Sequence, residues 1–116
     1  MAEGFANHYG SDVLIASSAG LSPISYIVPE TVAIMAESGV DVSKHVPSYY
    51  EPLGAGEWDI VVNMSGMRLP GKRPKHLLEW EVVDPFRKEP EVYRQVRNDI
   101  EHRVMLLILR LRREAA

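Results

Sequence analysis

The sequence predicts an α/β protein with a mainly parallel sheet. Three observations carry that prediction. Strand-like runs alternate with segments of helical period. The first such run, Val13 to Ala16, is continuously apolar, which suits a strand covered on both faces. The chain closes on a long amphipathic segment with apolar residues every three or four positions. No repeat, low-complexity tract or domain boundary interrupts the pattern, so residues 1–116 read as a single domain.

Taken in order, Ala2, Phe5, Ala6 and Tyr9 recur at i, i+3, i+4 and i+7, one apolar face of a first helix. Gly10 stands where a C′ glycine is expected. No Ser, Thr, Asp or Asn precedes this helix to cap it, so the chain begins as if already inside a helix. Val13 to Ala16 is the first strand. A second helix is expected over Pro29 to Ser38. Pro29 suits the N1 position, Glu30 the first turn, and Gly39 the end. Val32, Met35 and Ala36 form its inner face. Residues 40–57 are a loop-rich connection carrying Pro47, Pro52, Gly54 and Gly56. Trp58 to Met64, β-branched at its centre, is the strongest strand and ends in a Ser65-Gly66 turn. A basic loop follows over 66–76, then a short strand from Leu78 to Val83 that stops at Asp84-Pro85. The last helix runs from about Pro90 to Arg113, with Val92, Val96, Ile100, Val104, Ile108 and Leu111 inward. It spans roughly 35 Å, and Arg110, Arg112 and Arg113 complement its negative end.

Composition excludes several function classes. Thirteen Lys and Arg against sixteen Asp and Glu give a net charge of −3. No general affinity for nucleic acid or an anionic membrane is expected. An apolar fraction of 46% is enough for a core, which excludes whole-chain disorder. The chain has no cysteine, which removes disulfides, Cys-zinc sites, Cys-x-x-Cys redox chemistry and a thiol nucleophile together. The most apolar run, Met105 to Leu109, is five residues long and meets Arg110, far short of a membrane span. The N-terminus lacks a signal peptide's basic and apolar regions, so a cytoplasmic protein is expected.

The candidate chemistry is sparse. Asp84 follows a strand, at the sheet end where open α/β folds place ligands, and Pro85 stiffens its loop. A carboxyl group there is a candidate general acid. Asp-Pro is also a common turn opener, and the chain alone favours that plainer role. Ser17, Ser18 and Gly20 offer backbone N–H groups to an anion, or simply a turn. Arg68, Lys72, Arg73, Lys75 and His76 form either an anion-facing loop or a solvated face. The four histidines, His8, His45, His76 and His102, show no metal-binding spacing. No Ser sits in a nucleophile elbow, and no Ser–His–acid set stands out.

Six short segments then carry a resemblance. They are Met1-Ala2-Glu3-Gly4-Phe5, Ser18-Ala19-Gly20, Met35 to Ser43, Asp59 to Met64, Trp80 to Pro85 and Tyr93 to Ile100. In order and spacing they resemble the low-molecular-weight protein tyrosine phosphatases and the thioredoxin-coupled arsenate reductases, which share one fold. Trp80 and Arg94 to Ile100 look more like the reductase branch. The resemblance implies a three-layer αβα fold, phosphotyrosine phosphatase I-like, here missing its first, central strand. In the family a Cys on a C-x₅-R-S loop attacks phosphate or arsenate held by the loop's N–H groups and Arg, and an Asp protonates the leaving group. Met1-Ala2-Glu3 looks like the stretch just after that loop, so an N-terminally truncated domain is expected. Met1 coincides with an internal Met of the family motif, as a miscalled start would give.

Of the family's catalytic residues only Asp84 carries over, as general acid. Ser65 falls about where the reductase branch has a redox cysteine. The chain as it stands is therefore expected to be inactive. A full-length form would hydrolyse phosphomonoesters, phosphotyrosine-like, with a phosphate-like oxyanion as its ligand and no cofactor. The alternative is a non-catalytic oxyanion- or protein-binding relic. Removing the strand between Val13–Ala16 and Ile60–Met64 leaves unpaired backbone groups, at about 1–3 kcal/mol each where buried. The expectation is that the strands re-pair or that a homo-oligomer covers the exposed edges.

Overall fold

The computed structural model describes residues 1–21, 27–50, 58–71, 74 and 76–115. Its elements are α1 (Ala2–Tyr9), α2 (Pro29–Glu37), β1 (Val61–Asn63), β2 (Leu77–Glu79) and α3 (Pro90–Ala115). The architecture is α/β with a parallel sheet. The buried stripe of α3 is Tyr93, Val96, Ile100, Val104 and Ile108, spaced as a 3.6-residue period requires. Both α1 and α2 pack against this helix. Phe5 from α1, Met35 from α2, and Val40 and Val42 beyond it complete the buried cluster. Ala2, Ala6 and Tyr9 pack around it as expected.

The second helix turns Val32 and Met35 to the core as expected, but not Ala36. Ile34 and Met35 are buried, while Ala36 is exposed. Arg97 donates to the Ile34 carbonyl at 3.0 Å, and Arg94 and Arg97 both grip Glu37. These contacts tie the C-terminal half of α2 to α3. Its end is as expected: Gly39 has φ +76°, Val40 N–H reaches the Met35 carbonyl and Gly39 N–H the Ala36 carbonyl. That is a Schellman motif, with apolar Val40 buried beyond it.

Gly10 is not the left-handed cap that its position predicted. Its φ is −119°. It is instead where α1 meets α3: a Cβ on Gly10 would lie 2.8 Å from Ile108 Cγ1. The residue is small to allow a close approach.

The expected strand at Val13–Ala16 is not formed. Val13 and Leu14 N–H groups both return to the Gly10 carbonyl at 3.0 Å, which continues the turn out of α1. Ala16 pairs with a side chain rather than a strand. Asn7 Nδ2 donates to its carbonyl at 3.0 Å, and its N–H donates to Asn7 Oδ1 at 2.9 Å. Ile15 is 91% exposed, so the run lacks the two-sided cover its composition suggested.

The sheet among the described residues has two strands, in the register Val61↔Leu77, Val62↔Leu78 and Asn63↔Glu79. It is shorter than expected at both strands. Val61 N–H to the His76 carbonyl and Trp80 N–H to the Asn63 carbonyl, each 2.9 Å, mark its two ends. A separate parallel bridge joins Gly20 to Tyr49. No described helix is long and apolar enough to cross a membrane.

Candidate functional site

Asp84 lies in the loop between β2 and α3, five residues beyond Glu79 rather than at the strand end. The intervening segment is anchored. Trp80 and Val82 pack against the core, and Arg103 donates to the Glu81 carbonyl at 3.2 Å. Asp84 itself is exposed, and its Oδ1 accepts the Phe86 N–H at 3.0 Å. Lys88 N–H closes onto the Pro85 carbonyl at 2.8 Å. Arg87, at φ +61°, sets its guanidinium over the Phe86 ring, 5.3 Å from the centroid. The turn-opening role of Asp-Pro is therefore real, and it leaves a solvent-facing carboxyl group on an ordered loop.

Within the Ser17–Gly20 segment the Gly20 N–H is engaged by a neighbouring backbone. Gly20 N–H donates to the Ser48 carbonyl at 2.8 Å, and Tyr50 N–H donates to the Gly20 carbonyl at 2.8 Å. Ser48 Oγ donates to the Ser18 carbonyl at 3.1 Å. Of the basic loop, Lys72, Arg73 and Lys75 lie outside the described residues; Arg68 and His76 are exposed. No group of three metal-ligating side chains gathers among the described residues.

The structure does bring together a set that the sequence did not reveal. His45 Nδ1 lies 2.5 Å from Glu3 Oε2, and His45 Nε2 lies 3.3 Å from Ser18 Oγ. The three residues come from α1, from the segment after Ala16 and from the segment after α2. Their order along the chain follows no catalytic motif, so only the fold makes them neighbours. Two further polar groups meet at the end of β1. Asn63, buried at the end of β1, donates to the Met67 carbonyl at 2.7 Å. Its Oδ1 accepts the Ser65 N–H at 3.0 Å and the Ser65 hydroxyl at 2.7 Å.

With this geometry established, comparison with known proteins is decisive. Residues 1–116 match the family described as low molecular weight phosphotyrosine protein phosphatase. The chain belongs to that family. A curated relative, the glutaredoxin arsenate reductase of Synechocystis, is 32% identical over 115 residues, covering 96% of this chain and 87% of the relative. A putative arsenate reductase of Halobacterium salinarum is 31% identical over 87 residues, covering 74% of this chain and 61% of that protein. Among solved structures, an arsenate reductase in the phosphate binding state superimposes with a TM-score of 0.85 at 32% identity, covering 95% of this chain and 86% of that one. The arsenate reductase of Archaeoglobus fulgidus gives 0.75 at 25% identity, over 92% and 86% of the two chains.

Against the phosphatase family two features of this chain matter. It contains no cysteine anywhere. At the position where a redox cysteine was expected, the Ser65 hydroxyl is engaged in the turn, donating to Asn63 and accepting the Met67 N–H at 3.1 Å. A hydroxyl held this way is a structural pin, not a redox group. Among the described residues Glu37 is strongly perturbed. Hydrogen bonds from Arg94 and then Arg97 lower its pKa from 4.5 to about 2.

Proposed function

We propose that the 116-residue chain is a member of the phosphatase family without the family's thiol chemistry. The observation that carries this reading is the complete absence of cysteine from a chain that matches the family over its whole length. A covalent phosphoryl-cysteine or a thiol-based arsenate reduction has no nucleophile here. The chain as it stands hydrolyses no phosphomonoester and reduces no arsenate. In a form carrying a Cys-x₅-Arg-Ser loop ahead of α1, the reaction would be phosphomonoester hydrolysis in the cytoplasm. Asp84 would be its general acid and a phosphate-like oxyanion its ligand. The exposed Asp84 carboxyl group on its anchored loop supports that role.

Sequencing the DNA immediately upstream of codon 1 tests the reading first. An in-frame strand followed by Cys-x₅-Arg-Ser predicts turnover of p-nitrophenyl phosphate by the longer product. Asp84→Ala then lowers its kcat by about 10²–10⁴-fold, as loss of a general acid does. Turnover of p-nitrophenyl phosphate by the 116-residue chain itself would refute the reading.

A second reading is a partner-binding or self-associating domain. It is favoured by β1, which pairs only with β2 among the described residues, and by Ile15 at 91% exposure. Sedimentation of the wild-type chain and of Ile15→Asp separates the two. A homo-oligomer that Ile15→Asp dissociates supports it, and a monomer at all concentrations refutes it.

A further inference from the structure

We propose that the chain pairs with a second copy of itself through the outward face of α3, the two helices lying antiparallel about Leu106. This surface is separate from Asp84 and from the β1 edge. It shares with the second reading above only the idea of self-association.

The sequence of α3 is apolar for longer than one packed face requires. Val104 to Leu109 is six consecutive apolar residues, and a turn takes only about 3.6. A helix apolar on every side is one that is covered on every side. In the single chain the cover is on one side. Ile100, Val104 and Ile108 are buried in the cluster that α1 and α2 complete. At about 100° per residue, Leu106 falls on the opposite side of the helix from Val104 and Ile108. It is 55% exposed, and Leu109, one turn on, is 50% exposed.

The charges beside these leucines say what covers them. Asp99, Leu106 and Arg113 recur at intervals of seven residues, so they lie along one line on the outer face. The Asp99 side chain is 44% exposed. Its Oδ1 accepts the Arg103 Nε at 3.0 Å within the helix, and a carboxylate has acceptor capacity for a second guanidinium. Arg113 is exposed in the last turn. The line is therefore acidic at one end, apolar in the middle and basic at the other.

Such a line complements itself only when reversed. A two-fold axis through Leu106 sets Arg113 of each copy opposite Asp99 of the other, and symmetry makes that ion pair twice. Leu106 meets its own counterpart on the axis. Leu109 lies against the methylene stem of Arg103 in the other copy, whose guanidinium is drawn aside to Asp99 and the Glu81 carbonyl. A parallel pairing would stack Asp99 on Asp99 and Arg113 on Arg113. Reversal also opposes the two helix dipoles. An anionic membrane would take Arg113 but repel Asp99 on the same line, and the net charge of −3 works against it. A second copy is thus the occupant that both ends of the line favour. The contact is small, so the dimer is a weak, reversible one.

The test is sedimentation velocity of the full chain across a concentration series. A monomer–dimer equilibrium is expected, weakening with added salt as exposed ion pairs do. Leu106→Glu sets two carboxylates face to face on the axis and should raise the dissociation constant by about tenfold or more. Leu106 is exposed and Glu is a good helix former, so the variant keeps its fold, checked by circular dichroism. Arg113→Asp should raise the constant by about threefold to tenfold, and Asp99→Arg combined with Arg113→Asp should recover most of that loss. A dimer untouched by Leu106→Glu overturns the proposal. A double swap no tighter than Arg113→Asp alone overturns the antiparallel register. Dissociation by Ile15→Asp but not by Leu106→Glu overturns the α3 interface and leaves the second reading standing. A chain monomeric throughout the series overturns both.

Discussion

Replacing Gly10 by Ala tests whether the α1–α3 contact is built on close approach. The new Cβ would lie 2.8 Å from Ile108 Cγ1, 2.9 Å from Ile108 Cδ1 and 3.0 Å from the Ala6 carbonyl oxygen. Carbon atoms in contact normally sit about 3.5–4.0 Å apart. Ile108 is fully buried, and its β-branched side chain is stiff at χ1 inside a helix, so it cannot simply swing away. Overpacking of this kind costs about 1–3 kcal/mol. Gly10 has φ −119° and ψ 17°, which Ala tolerates. The stiffer unfolded chain therefore returns about 0.4–1 kcal/mol. The net loss is about 1–2 kcal/mol, or roughly 5–10 °C in Tm for a domain of this size. Urea unfolding followed by circular dichroism measures it. Gly39 provides the contrast: its φ is +76° and nothing lies within 4 Å of a Cβ there. Asn, which tolerates the left-handed region, should be nearly neutral at 39 and worse than Ala at 10. A Gly10→Ala chain as stable as wild type would refute the close-packing argument.

Three other perturbations have defined outcomes. Asn63→Ala removes a buried carboxamide that donates to the Met67 carbonyl and accepts the Ser65 N–H, so it should cost about 0.5–1.5 kcal/mol per hydrogen bond in urea unfolding and speed hydrogen exchange at Ser65 and Met67. The folded Glu37 carboxyl group titrates near 2 against 4.5 normally, so its contribution is present above pH 4.5 and lost as pH falls toward 2. Thermal unfolding across that window should show stability falling with pH, and Glu37→Gln should flatten the slope. Asp84→Ala removes one exposed turn contact, so its unfolding free energy should stay within about 0.5 kcal/mol of wild type.

What could be read from the sequence was whatever depends on local periodicity. The α3 stripe from Val96 to Ile108, the α1 face from Ala2 to Tyr9 and the Gly39 stop are set by spacing and by backbone chirality, and they form as expected. The β1–β2 pairing was legible because its strands are β-branched and apolar, although its length was overstated. Val13–Ala16 failed for a tertiary reason. An apolar run becomes a strand only when a neighbouring backbone receives it, and here the Asn7 carboxamide takes both backbone groups of Ala16. Nothing in a run of four apolar residues encodes that substitution. On α2 the inward positions Val32 and Met35 were legible, whereas Ala36 is exposed on a helix whose Glu37 and Ile34 carbonyl are held by Arg94 and Arg97, some sixty residues away.

The candidate sites divide along the same line. Asp84 was visible because a turn-opening acid after a strand is a local pattern, and the structure keeps it exposed on an ordered loop. Ser18, His45 and Glu3 were invisible because no spacing rule links positions 3, 18 and 45. Their meeting depends on the parallel bridge between Gly20 and Tyr49, which lays the Ser18 segment beside the His45 segment, and on α1 docking with Glu3 toward His45. The hydrogen bonds that engage Gly20 lie two residues from Ser18, whose hydroxyl meets His45 Nε2 at 3.3 Å. A perturbation that opens the bridge should free the Gly20 N–H and separate Ser18 from His45 together.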